Sequence, residues 1–122
     1  MWQRKYLLVT IIWMAIIWYL SAQPDLRTDL EQDFVLRKLA HMFEYGVLTW
    51  LLFKSIGSAT GEAITIAALV ALVYAGIDEW HQGFVIGRYG TPRDVAIDAV
   101  GIALVSGLLL FFLRRRTRLA ID

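Results

Sequence analysis

Two short runs of the chain concentrate side chains that can move protons, hold cations or grip anions. The first contains Lys38, His41, Glu44 and Tyr45, spaced i, i+3, i+6, i+7 and so close to one helical face. The second opens with Asp78, Glu79, His81 and Gln82 and continues to Arg88, Asp94 and Asp98. Asp78, His81 and Gln82 fall at i, i+3, i+4, with Glu79 about a quarter-turn away, and Asp94 and Asp98 are an i, i+4 pair. Both runs lie at the ends of apolar segments of membrane length. An ionisable side chain at the bilayer centre costs about 2.5–3.5 kcal/mol or more, so such groups face a protein interior or a watery cavity and mark a working site.

Three chemistries fit these residues. In the first, the cluster binds the headgroup of an anionic envelope lipid or a lipid-linked cell-wall precursor. Arg88 and Lys38 would hold phosphate, the Arg as a bidentate fork. Glu44, Asp78, Glu79 and Asp98 would orient those cations and meet an amine or sugar hydroxyls, with Tyr45, Gln82 and Asp94 completing the ligand-binding set. In the second, the protein is a membrane-embedded hydrolase or transferase acting on a lipid phosphate, its catalytic candidates being His41, Glu44, Asp78, Glu79 and His81. His41-x-x-Glu44 and Asp78-x-x-His81 each put a His and a carboxylate at i, i+3, the way facing helices hold di-metal centres. The metal candidates are therefore His41, Glu44, Asp78 and His81, with a divalent ion activating water. Without metal, His81 would act as general base, oriented by Asp78 or Glu79. In the third, buried ion pairs only fix helix register and the function lies in a partner protein.

The mixed signs favour headgroup binding, which requires no cofactor. Cysteine is absent and no G-x-S-x-G run occurs, which excludes a thiolate nucleophile, a Cys-based zinc site and a nucleophile elbow. No helix-turn-helix, zinc-finger or aromatic-basic pattern points to nucleic acid. Plainer roles compete at single positions. Asp94 fits a helix cap, Arg88 and Arg93 fit lipid phosphates at the interface, and Glu44 fits an interhelical pair with Lys38 or His41. Trp80, Phe84 and Tyr89 read as interfacial anchors. Gly101 and Gly107, with Ala103 and Ser106, read as helix-packing positions.

Four apolar segments must position these residues. Hydrophobic residues make up 58% of 122, and five are Trp, more apolar surface than so small a soluble core can bury. The expectation is an all-α polytopic membrane protein: a single domain over residues 1–122, with four transmembrane helices at about 6–21, 34–54, 62–82 and 92–114 in a compact antiparallel bundle. The turn at residues 55–62 is rich in Gly, Ser and Thr, and Thr91-Pro92-Arg93-Asp94 reads as a capping box with Pro at the first helical position. In the acidic first connection, Leu26, Leu30 and Phe34 recur at i, i+4, i+8, suggesting a short interfacial helix or an early start to the second segment. Segment one resembles a signal peptide in its basic start, but Leu20 stands where a small residue is wanted before Ala22, so an uncleaved helix is expected. Arg4, Lys5, Lys54 and the run Arg114, Arg115, Arg116 and Arg118 share one side. Both termini are therefore expected in the cytoplasm of a multi-pass cell-membrane protein, with the polar runs outside.

At these residues the chain resembles the VanZ-like family of small integral membrane proteins. The likeness rests on K-x-x-H-x-x-E-Y at Lys38, His41, Glu44 and Tyr45, and on D-E-x-H-Q-x-F-x-x-G-R at Asp78, Glu79, His81, Gln82, Phe84, Gly87 and Arg88. Asp94 and the helix around Asp98 and Gly101 follow. Ile86 stands where a Pro often precedes the Gly-Arg, and Asp98 where Asn is common. The resemblance implies a cell-envelope setting and a link to resistance against glycopeptide antibiotics such as teicoplanin. It leaves open a homo-oligomer or a membrane partner protein.

Overall fold

The computed structural model describes residues 3–23, 31–85 and 91–121, and only the backbone over 31–34. Four helices carry these residues: α1 (Arg4–Ser21), α2 (Glu31–Ile56), α3 (Gly61–Gln82) and α4 (Pro92–Ile121), with no strand among them. Local chemistry sets their ends. α2 stops before Gly57, which takes φ 72°, a left-handed conformation open to glycine. The Thr60 hydroxyl accepts the Ala63 N–H at 3.1 Å to start α3. Thr91 Oγ1 accepts the Asp94 N–H at 3.3 Å and donates to Asp94 Oδ2 at 2.9 Å, with Pro92 in the first turn of α4.

Two helices outrun their apolar stretches. α2 begins at Glu31 rather than 34, an early start; Leu26 and Leu30 lie outside the described residues, as does the side chain of Phe34. α4 continues to Ile121, because Arg, Leu and Ala favour helix and no Gly or Pro interrupts residues 114–121. At 1.5 Å per residue its 30 residues span about 45 Å, well beyond a hydrocarbon core of roughly 30 Å, so its arginine-rich end projects past the apolar zone.

Burial is inverted relative to a soluble protein. Phe43 and Val73 are 66% and 63% exposed, whereas Asp78 and Asp98 are fully buried. The apolar exterior is the lipid face of a membrane bundle. α1, α3 and α4 are each long and apolar enough to cross; α2, with 26 residues, is the fourth member and carries most of its ionisable side chains in its first half.

α2 is the centre of the packing and touches all three other helices. Its closest approach is to α4: a Cβ at Gly101 would lie 2.2 Å from the Met42 carbonyl oxygen, so the two backbones are in contact there. One turn on, a Cβ at Gly46 would meet Val105 at 3.0 Å. Partners on α4 advance with those on α2 (Lys38 with Asp94, His41 with Asp98, Gly46 with Val105), so these two helices run parallel while chain neighbours run antiparallel. α3 offers a stripe of buried alanines, Ala63, Ala67, Ala71 and Ala75, against a core of Ile17, Tyr45, Leu48, Leu52 and Ile102. α1 is fastened largely by polar contacts: Trp13 Nε1 donates to the Glu44 carbonyl at 2.9 Å, Tyr74 Oη to the Met14 carbonyl at 2.7 Å, and Thr10 and Ser55 hydroxyls pair at 2.9 Å. Lipid supplies no hydrophobic drive between helices, so such contacts and close packing hold the bundle. Gly107 plays no such part: it is exposed and a Cβ there would meet nothing within 4 Å.

Candidate functional site

The backbone contact at Met42 and Gly101 places the polar run of α2 directly against the start of α4. Lys38 and Asp94 form an ion pair at the rim, each partly exposed. One turn deeper, His41 Nδ1 lies 3.2 Å from Oδ1 of the fully buried Asp98, within ion-pair distance but outside hydrogen-bond geometry. One further turn inward, the Tyr45 hydroxyl donates to Asp78 Oδ2 at 2.8 Å, both residues being fully buried.

α3 contributes the third wall. Its alanine stripe at 63, 67, 71 and 75 continues at the next i+4 position with Glu79, which is 4% exposed. One donor atom each from His41, Glu79 and Asp98 lie within 4.8 Å of one another. Both Glu79 oxygens and both Asp98 oxygens lack hydrogen-bond partners among the described residues. A cleft of about 360 Å3 lies between α3 and α4, lined by Gly76, Glu79, Trp80, Thr91, Pro92 and Val95, so that of the three residues Glu79 borders it.

Charge is unevenly spread. Among the described residues, Lys38 offsets Asp94 at the rim, while Glu79 and Asp98 converge with His41 in the interior and Asp78 meets Tyr45 one turn deeper. Buried carboxylates without partners are expensive. The interior therefore suits a cation, an amine or hydroxyl donors, and an anion only at the rim.

A family model described as VanZ/LLP1 matches residues 6–114, nearly the whole bundle and every residue of the polar cluster. The chain belongs to the VanZ/LLP1 family. It is also 35% identical over 114 residues to a Bacillus subtilis (strain 168) protein bearing the name uncharacterized membrane protein YwnJ, covering 87% of this chain and 77% of that one. No solved structure matches it.

Within this VanZ/LLP1 chain, Lys38, His41, Tyr45, Asp78, Glu79, Asp94 and Asp98 meet at one end of the bundle. The four metal candidates taken from i, i+3 spacing do not form one group. His41 joins Glu79 and Asp98 instead, because Asp78 is turned to Tyr45 and the His81 ring stacks on Trp18 at 3.8 Å. Glu44 is half-buried and its backbone carbonyl receives Trp13. Gln82 donates to Ser21 at 3.1 Å, tying α3 to the end of α1. Arg88, with Ile86, Gly87 and Tyr89, lies outside the described residues. Trp80 and Phe84 are exposed and packed edge to face at 5.0 Å, as interfacial anchors would be.

Sequence reasoning missed α1 as a wall of the site, since Trp18 was one of several Trp in an apolar run and Ser21 looked like a helix end. It also undervalued Glu79. The signal for Glu79 was present: it continues the four-residue spacing of the buried alanines.

Proposed function

We propose that this protein binds one membrane amphiphile, an anionic envelope lipid or a lipid-linked glycan, with its headgroup at the α2–α3–α4 polar cluster and one chain along the α2–α4 surface. The observation that carries this reading is an apolar groove on the same pair of helices, α2 and α4, that brings Lys38, His41, Asp94 and Asp98 together. The groove holds about 590 Å3 and runs between the parallel α2 and α4, from Leu39, Met42 and Gly101 down to Trp50, Leu108 and Phe112. It starts at Met42, the residue after His41, and at Gly101, three residues past Asp98. A polar end and an apolar trough on the same helix pair match a headgroup and its tail.

The charge distribution orders the headgroup. Phosphate stays at the rim near Lys38 and Arg93, while hydroxyls, an amine or a cation enter the acidic interior. Lys54, Lys5 and the arginine-rich end of α4 gather at the opposite end of the bundle. The positive-inside rule puts that end and both termini in the cytoplasm, and the cluster at the extracytoplasmic face.

Native mass spectrometry of protein purified in mild detergent tests this reading. The wild type should retain one phospholipid or lipid-linked glycan per chain. Lys38→Gln should lose it through the headgroup, and Leu108→Trp should weaken it by filling the groove. A wild type carrying no lipid, or equal retention in both variants, would refute it.

A further inference from the structure

The part of the cluster that the lipid reading leaves unexplained is its acidic interior. Two fully or nearly fully buried carboxylates, Glu79 and Asp98, keep four oxygens without hydrogen-bond partners among the described residues, beside a His41 Nδ1 whose near neighbour is Asp98 Oδ1 at 3.2 Å. Buried polar atoms in folded proteins are almost always satisfied, and such exceptions call for a ligand or a proton. Donor atoms of the three residues lie within 4.8 Å of one another and come from three different helices. Glu79 also borders the side cleft between α3 and α4.

We propose that His41, Glu79 and Asp98 bind a divalent transition-metal cation. Metal–donor bonds of about 2.0–2.2 Å set donors roughly 3–4 Å apart, so side-chain rotation alone brings these three into range. One imidazole with two carboxylates suits manganese, iron or zinc better than calcium, which takes a shell of oxygens. Three protein donors leave positions for water or for an oxygen of the bound molecule. This site differs from a di-metal arrangement on two i, i+3 pairs, because each helix gives one donor. The ion neutralises the interior acids and offers a headgroup phosphate a positive centre at depth. That role rests on the lipid reading above; the ion's presence does not.

The test is a titration of EDTA-stripped, detergent-purified full chain with Mn2+, followed by electron paramagnetic resonance of the free ion, with Zn2+ as competitor. One Mn2+ per chain is expected, displaced by Zn2+. Glu79→Gln and Asp98→Asn keep nearly the same shape and should each lower affinity by at least ~100-fold, since even changes beyond the ligands cost 10–100-fold. Thr65→Ala, near the far end of α3, should match the wild type. Circular dichroism of each variant shows whether it has folded. Absence of stoichiometric binding in the wild type would overturn the proposal whatever the variants do, as would unchanged affinity in both ligand variants. Lipid content of the same samples separates the two readings. Metal without retained lipid leaves the ion site standing and refutes the amphiphile; lipid retained by a wild type that binds no metal does the reverse.

Discussion

Three glycine-to-alanine substitutions should have three different outcomes, because the space around each glycine differs. At Gly101 the new Cβ would lie 2.2 Å from the Met42 carbonyl oxygen and 2.8 Å from its Cα and carbonyl carbon. All three are backbone atoms, so no rotamer relieves the clash and α2 and α4 must part by about 1 Å. A gap of that size forfeits a quarter to a half of the dispersion energy along the contact, and overpacking typically costs about 1–3 kcal/mol. In lipid, where packing is a main force between helices, the upper end applies. Setting that against a helix-propensity gain of roughly 1 kcal/mol for replacing Gly, Gly101→Ala should destabilise by about 2 kcal/mol. At Gly46 the only tight approach of the Cβ is to Val105 Cγ2 at 3.0 Å, the Gly101 carbonyl oxygen standing at an ordinary 3.5 Å. That methyl can shift, so the two effects should roughly cancel. At Gly107 nothing lies within 4 Å, and alanine should stabilise by about 0.5–1 kcal/mol. The assay is unfolding by SDS in mixed micelles, followed by tryptophan fluorescence. The ranking Gly107→Ala, wild type, Gly101→Ala is the expected result. Equal stability of Gly101→Ala and Gly107→Ala would refute the backbone contact, and with it the parallel α2–α4 pairing that builds the site.

Other substitutions report on single contacts. Tyr45→Phe removes the donor to buried Asp78 Oδ2 and should cost about 1–3 kcal/mol in the same unfolding assay; the cost should shrink in an Asp78→Asn background if the two act as a pair. Lys38→Gln should change stability by no more than about 1 kcal/mol, since the pair with Asp94 is partly exposed, while the lipid signal in native mass spectrometry disappears. The chain contains no cysteine, so single cysteines at exposed Phe84 and Ser58 can read topology in intact cells. An impermeant maleimide should label Phe84→Cys and spare Ser58→Cys, and the opposite pattern would invert the bundle.

The apolar runs and turn residues made the four helices legible. Thr91, Pro92 and Asp94 announce the start of α4, and glycine chemistry marks the end of α2 at Gly57. The polar positions were legible too, because an ionisable residue stands out in an apolar run. What spacing could not tell was which partner each residue meets. His41 and Glu44 share a face by the i, i+3 rule, but a face has no meaning until a neighbouring helix is assigned to it. The decisive neighbour of α2 is α4, two elements on and parallel to it, which short antiparallel connections do not suggest. That pairing is set by Gly101, whose missing side chain lets Asp98 come within reach of His41. α1 joins the site through Trp18 and Ser21, residue types too ordinary in a membrane helix to be singled out.

The arrangement has a physical logic that argues against a merely structural role for the acids. A bundle of this size buries few large apolar side chains; its core is mostly alanine, leucine and isoleucine from all four helices. Holding Asp78, Glu79 and Asp98 out of water strains such a bundle, because desolvation exceeds what a single imidazole and a tyrosine hydroxyl return. Register alone would be set by the Gly101–Met42 contact and by hydrogen bonds such as Tyr74 to Met14, neither of which needs a charge. Tyr45 satisfies one oxygen of Asp78 and leaves Oδ1 unmatched, so the larger unmatched demand falls on Glu79 and Asp98, the two residues that converge with His41. Stability should then rise when a cation fills that gap. Added Mn2+ should raise the SDS midpoint of the wild type but leave Glu79→Gln unchanged, in line with the linkage between binding and folding. A midpoint indifferent to Mn2+ in the wild type would mean that protons alone neutralise the acids.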